Sequence, residues 1–171
     1  IPRYATITPE KFPMTMVIEA LKVPMGMPEQ IICNVKIREA KADDPDSPVT
    51  CYFLENLEYY EKRANVYGYD DDAARWALLS RGVLEFVRAH DVWRPDVIVA
   101  ADWQGGLIAN YIHREYKKDP VLSKIPIVFS IHNLYYQGMF DHHFVTEMDY
   151  DDGQSEIPAL TAFLAATYCF I

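Results

Sequence analysis

The stretch DVIVAADWQGGLIANYIHREYKK, residues 96–118, decides the fold. DVIVAAD (96–102) is a continuous apolar run closed by an acid, the pattern of a strand buried on both faces of a parallel sheet. From about Trp103 to Lys118 the chain reads as a helix whose basic end suits the negative end of its dipole. A second apolar run, PIVFSIHN (126–133), follows and also ends in polar residues. The order β-α-β with short connections predicts a parallel pair joined by a right-handed crossover.

Working outward from this unit, Asp71 to about His90 carries Ala74, Trp76, Ala77, Leu78, Val83, Leu84, Phe86 and Val87 at helical spacing. Asp70 is the expected cap, and Asp71 and Asp72 lie at the positive end of the dipole. Further upstream, 14–21 and 30–40 are rich in β-branched residues and are separated by Pro24, Gly26 and Pro28, so they are expected to pair as antiparallel strands. Lys41 to Pro48 is polar with two prolines and reads as an exposed loop, and 49–56 as a buried strand. Residues 56–70 form an aromatic-rich loop in which Gly68 is free to take a positive φ. No repeat, low-complexity tract or internal linker interrupts residues 1–171, which are therefore one domain, of α/β class.

Composition narrows the function. The chain has 171 residues, half of them apolar, and Lys+Arg minus Asp+Glu is 16 − 25 = −9. Such a domain repels phosphate backbones and acidic membrane surfaces, so nucleic acid and membrane are not expected partners, while a small anion held by backbone amides stays open. Cys33, Cys51 and Cys169 form no C-x-x-C pair and have apolar neighbours, as thiols in a reducing compartment do. Residues 157–171 are apolar but fall short of the roughly 20 residues needed to span a bilayer, and they read as a buried helix. The sequence opens at Ile1 without a signal peptide pattern, and both termini read as cuts within a larger protein.

In an open parallel sheet ligands bind beyond the carboxyl ends of the strands. The two parallel strands end at Asp102 and at His132-Asn133, and adjacent strands would bring these groups to one pocket. Gly105 and Gly106 allow close backbone approach to a ligand or a neighbouring strand. YYQG (135–138) adds rings and amides suited to sugars, which makes carbohydrate the first expectation. Each group also has a structural alternative: Asp102 as the N-cap of the second helix, His132 as a core imidazole, Tyr67 and Tyr69 as packing residues and Trp103 as core. The acidic cluster from Asp141 to Asp152, with His142 and His143, lacks metal-ligand spacing and reads as a solvated loop. No G-x-S-x-G, G-x-x-x-x-G-K-[ST] or G-x-G-x-x-G is present, which removes the main support for serine hydrolase, P-loop and dinucleotide readings.

Three blocks, YFLENLEYYEKRANVYGYDDDAARWALLSRGVLEF (52–86), WRPDVIVAADWQGGLIANY (93–111) and IPIVFSIHNLYYQGMF (125–140), together resemble the N-terminal domain of bacterial-type glycogen synthases and starch synthases, glycosyltransferase family 5. The opening PRY (2–4) is similar to the segment after that family's second strand, and 14–40 fit its β-rich insertion. The resemblance implies a Rossmann-like parallel sheet with flanking helices and a small antiparallel β element, one incomplete half of a GT-B architecture. It implies transfer of glucose from ADP-glucose or UDP-glucose to the non-reducing end of an α-1,4-glucan with retention, without metal or other cofactor. By position, Asp102 and His132 match the family's catalytic acid and histidine, and Tyr67, Trp103, Asn133, Gln137 and Gly138 are the implied substrate-binding residues. Ala100 stands where the family has histidine, and neither the family's Lys-x-Gly-Gly loop nor its C-terminal domain is present. Activity is therefore expected of a larger parent rather than of this segment alone, in the cytoplasm or, in a plant, the plastid. The alternative of another class is a carbohydrate-binding or regulatory module without transfer.

Overall fold

The computed structural model describes residues 1–26, 28–41, 48–91 and 93–140. The acidic cluster, the apolar 157–171 stretch, Cys169 and the centre of the proline-rich loop lie outside the described residues.

Strands β1 (Thr15–Val23), β2 (Ile31–Arg38) and β3 (Cys51–Glu55) form an antiparallel sheet in that order. Leu21, Val23, Cys33, Val35 and Leu54 face the core, and Phe53, opposite Lys36 on the other face of the sheet, is buried as well. Burial pushes the Cys33 thiol up to about 12, so it stays protonated and acts as a small apolar group. The register of β1 on β2 slips between Met16 and Leu21, where Ala20 takes φ +55°. The Asn34 side chain accepts the Ala20 amide at 3.0 Å, so the bulge leaves no orphan donor there.

The sheet has a second, parallel edge. The Leu54 amide donates to the Ile1 carbonyl at 2.8 Å and the Arg3 amide to the Leu54 carbonyl at 2.9 Å, so Pro2 runs beside β3 in parallel. A short π-helical turn, Leu57–Glu61, follows β3 and is capped by Asn56, whose Oδ1 accepts from Glu58 and Tyr59 amides at 3.1 and 3.0 Å.

Helix α1 (Asp72–Ala89) is buried far beyond one stripe, because it packs on the antiparallel sheet with one side and on α2 (Asp102–Arg114) with the other. Ser80 and Arg81 are buried with the apolar residues. The Arg81 guanidinium lies over the rings of Tyr111 and Tyr116, and its Nε donates to the Tyr116 hydroxyl at 2.8 Å. The cap differs from expectation. Asp71, not Asp70, occupies the N-cap position and makes no capping bond, because its carboxylate pairs with Arg63 at 2.5 Å.

Strands β4 (Ile98–Ala101) and β5 (Ile127–Ser130) pair in parallel, with Ile98 opposite Ile127 and Ala101 opposite Ser130. Helix α2 connects them as the sequence predicts, but it ends at Arg114 rather than near Lys118. Asp119 then accepts the Val121 and Leu122 amides at 2.9 Å and starts a 3-10 turn into β5. The continuous apolar run of 96–102 is not covered on both faces among the described residues. Ile98 and Ala100 are buried under the helices, whereas Val99 and Val128 on the other face are 61% and 52% exposed. Gly105 lies against the backbone of Ala100, the close helix-to-strand approach its lack of a Cβ permits.

Candidate active site

At the carboxyl ends of β4 and β5 lies a cavity of about 610 Å³ lined by Tyr67, Asp72, Asp102, Trp103, Gln104, Asn133 and Tyr136. These residues come from three places: the loop before α1 and its first turn, the start of α2, and the loop after β5. The back of the cavity is aromatic. Trp76 sits 5.7 Å from Tyr67 and 6.2 Å from Trp103 by ring centroids, and Trp103 is 5.4 Å from Phe140. Such a wall offers flat apolar surface, while the carboxylates and amides at the rim offer directional acceptors and donors.

Asp102 is not the N-cap of α2. Ala101 holds that position, and Asp102 is the first helical residue, with φ +48°. This left-handed backbone costs an L-residue about 1–2 kcal/mol. It aims the carboxylate across to β5, where Oδ1 accepts the His132 amide at 2.7 Å and the Asn133 amide at 3.4 Å. The acid therefore ties together the ends of the two parallel strands. Non-glycine residues held in such a backbone by hydrogen bonds cluster at functional sites, which makes Asp102 a candidate site residue.

His132 is exposed and is not a core histidine. Its Nε2 lies 3.1 Å from Ser130 Oγ, and its imidazole is absent from the cavity lining, which its neighbour Asn133 enters instead. Asp102 thus reaches His132 through the backbone and not through the ring. Asn133 also accepts the Tyr135 amide on Oδ1 at 2.9 Å, fixing the next turn.

Gln137 and Gly138 do not line the cavity. Gln137 donates to the Leu134 carbonyl at 2.9 Å. Gly138 has φ +63°, and any Cβ there would be pressed into the Trp103 indole. Both shape the loop that carries Tyr136. Trp103 is a core residue as its structural alternative expects, and its remaining exposed edge forms part of the cavity wall.

Sequence reasoning passed over Asp72, which is 6% exposed and enters the lining beside Tyr67. Its Oδ1 pairs with Arg75 at 2.5 Å and its Oδ2 accepts the Gly68 amide at 2.8 Å. The spacing D-x-x-R at the first turn of a predicted helix is the signal by which this pair could be found in the sequence. Among the described residues no cluster of three or more His, Cys, Asp or Glu is placed to hold a metal ion, and no helix is long and apolar enough to cross a membrane.

An α/β unit with a parallel pair, a flanking antiparallel sheet and a site at the strand ends has a close structural counterpart. The catalytic domain of starch synthase IV from Arabidopsis thaliana, solved bound to ADP and acarbose, superposes with a TM-score of 0.68 over 81% of this chain and 27% of that one, at 20% sequence identity. That likeness establishes the fold. The family model for the starch synthase catalytic domain matches residues 1–167, and the chain belongs to this glycosyltransferase family. Glycogen synthase from Clostridium beijerinckii is 37% identical over 86% of the chain, and that from Geobacillus stearothermophilus 35% identical over 90%. The chain spans 29% and 30% of the length of these two relatives.

Proposed function

We propose that residues 1–171 are a single partial domain, the acceptor-side half of a GT-B glucan synthase. The full protein transfers glucose from ADP-glucose, or from UDP-glucose, to the non-reducing end of an α-1,4-glucan with retention. The observation that carries this reading is the cavity at the ends of β4 and β5, where an aromatic wall meets Asp72, Asp102, Gln104 and Asn133. Family membership and the glycogen synthase relatives support a glycosyltransferase acting in glucan synthesis. ADP in the Arabidopsis counterpart supports an adenine nucleotide donor.

In this reading the bond between glucose C1 and the donor diphosphate breaks as the acceptor hydroxyl oxygen bonds to C1 on the same face, and the hydroxyl proton leaves with the diphosphate. Positive charge on the sugar ring is stabilised by oriented dipoles and carboxylates in a site from which water is excluded. Asp102 holds the backbone of His132 and Asn133 in place for this. The His132 imidazole, now beside the Ser130 hydroxyl, exchanges that partner for a hydroxyl of the transferred glucose. Asn133 and Gln104 offer amide donors and acceptors to the sugar, and Tyr67, Trp103 and Tyr136 pack on its carbon faces. Gln137 and Gly138 serve the substrate indirectly, through the loop they shape.

The second domain supplies the groups that grip the diphosphate, so this segment alone does not transfer glucose. The test is incorporation of labelled glucose from ADP-glucose into glycogen by the full protein and by its His132→Ala variant. Transfer by the former and its loss in the latter are expected; near-normal turnover of the variant overturns the assignment of His132. Binding of malto-oligosaccharide by a full protein that never transfers glucose would instead indicate a carbohydrate-binding module, a reading the family match does not favour.

A further inference from the structure

Tyr67 poses a problem of order. The residue is 57% exposed and sits on a loop, yet it forms one wall of the cavity. A ring on an untethered loop would lose much of its contact energy to the entropy of being held.

The chain is fastened on both sides of this residue by one ion pair. Arg75, fully buried, donates Nη1 to the Val66 carbonyl at 2.9 Å and Nε to the Tyr59 carbonyl at 2.8 Å. Asp72 accepts the Gly68 amide at 2.8 Å and is itself joined to Arg75. The carbonyl before Tyr67 and the amide after it are thus tied to a single pair on the first turn of α1. Gly68 completes the arrangement with φ +97°, a conformation that strains any side-chain-bearing residue. Tyr69 buttresses the outer side: its hydroxyl accepts the Asn65 amide at 2.9 Å, and the guanidinium groups of Arg63 and Arg75 lie 5.0 Å from its ring centroid.

A buried ion pair is weak evidence for stability, since desolvation offsets much of its attraction. Geometry accounts for this one better. The rigid fork of arginine reaches two carbonyls and a carboxylate at once, which an ammonium or an apolar replacement cannot do. We propose that Arg75 and Asp72 are positioning residues that hold Tyr67 against the acceptor glucan. The inference rests on the cavity being the acceptor site.

The experiment measures acceptor KM and kcat with malto-oligosaccharides in the full protein for Tyr67→Ala, Gly68→Ala, Asp72→Asn and the two double variants that combine Tyr67→Ala with each of the others. Tyr67→Ala is expected to raise acceptor KM about tenfold, the equivalent of one aromatic contact, with donor KM unchanged. Gly68→Ala adds a Cβ that meets nothing within 4 Å, so it strains the loop backbone without disturbing the core. It is expected to raise acceptor KM several-fold in a folded protein, as is Asp72→Asn. In the Tyr67→Ala background neither change should raise KM further, because the ring they position is gone.

The failures are distinguishable. An unchanged acceptor KM in Tyr67→Ala overturns the acceptor reading and the inference with it. A raised KM in Tyr67→Ala with none in Gly68→Ala overturns the positioning role alone. Equal effects of Gly68→Ala and Asp72→Asn with and without the Tyr67 ring do the same. Since Gly68→Ala spares the ion pair, the test stands even where Asp72→Asn fails to fold.

Discussion

The two walls of the cavity use one device at two strengths. On one side Asp72, nearly buried and paired with Arg75, fixes the loop that bears Tyr67. On the other Asp102, only partly buried, fixes the loop that bears His132, Asn133 and Tyr136 through two amide bonds, from a strained backbone. In each case a carboxylate at the start of a helix accepts backbone amides from a loop remote from its own turn or just before it. The difference lies in what surrounds the acid. The first belongs to the core, so loosening it should cost folding; the second lies near water, so loosening it should cost geometry at the site more than stability.

The largest expected effect comes from breaking the stronger wall. Arg75→Ala leaves the buried Asp72 carboxylate and the part-buried Val66 and Tyr59 carbonyls without their guanidinium donor, and breaking such a buried ion pair costs about 3–5 kcal/mol. Urea unfolding should show it directly, and a loss under about 1 kcal/mol would mean that water replaces the guanidinium cheaply. Next comes Gly138→Ala, which forces a positive φ on alanine and drives its methyl into Trp103; about 2–3 kcal/mol is expected from strain and overpacking together. The accompanying change in tryptophan fluorescence would report displacement of the indole, and an unaltered spectrum would show that the loop moves instead.

Asp102→Asn probes the weaker wall. The amide oxygen still accepts the His132 N–H and asparagine tolerates the left-handed backbone, so stability should fall by only about 1 kcal/mol. Glucose transfer by the full protein should fall far more, and equal losses in both would erase the contrast between the walls. The smallest effect is expected at the far end of α2. Burial by itself would lift the Asp119 carboxyl, but the Leu122 and Val121 amides and the Arg88 guanidinium outweigh it and hold the group below its ordinary 3.8. A depressed folded value contributes stability above the unfolded value and loses it as pH falls through the folded one. Asp119→Asn should therefore shallow the acid limb of a urea midpoint titration below 3.8 while leaving the cavity variants' effects intact; an unchanged acid limb would show that Asp119 adds no pH-dependent stability.

Much of the frame was legible before any coordinates. The apolar runs ending at Asp102 and Asn133 predicted the parallel pair and the edge at which a cavity would open, and the β-branched stretches predicted the antiparallel strands. Which group takes which partner was less legible. Among the described residues one face of DVIVAAD is covered and Val99 lies on the other. Asp70 has the spacing of a cap, but Asp71 stands at the N-cap position and its carboxylate is taken by Arg63. Gln137 and Gly138 adjoin the cavity in sequence but stand outside its lining, Gln137 donating to the Leu134 carbonyl and Gly138 packing against the Trp103 indole.

The amino-acid order by itself determined the class of fold, the strand ends at which the cavity opens and the family, since these follow from hydrophobic period and from motif residues close together in the chain. Only the tertiary structure decided which carboxylate bonds which amide: Asp102 meets His132 from 30 residues away, and Asp72 turns back to Gly68 rather than outward to solvent. A carboxylate accepts whatever donor the packed elements bring within reach, and that choice is made by the docking of helices and loops, not by periodicity along the chain.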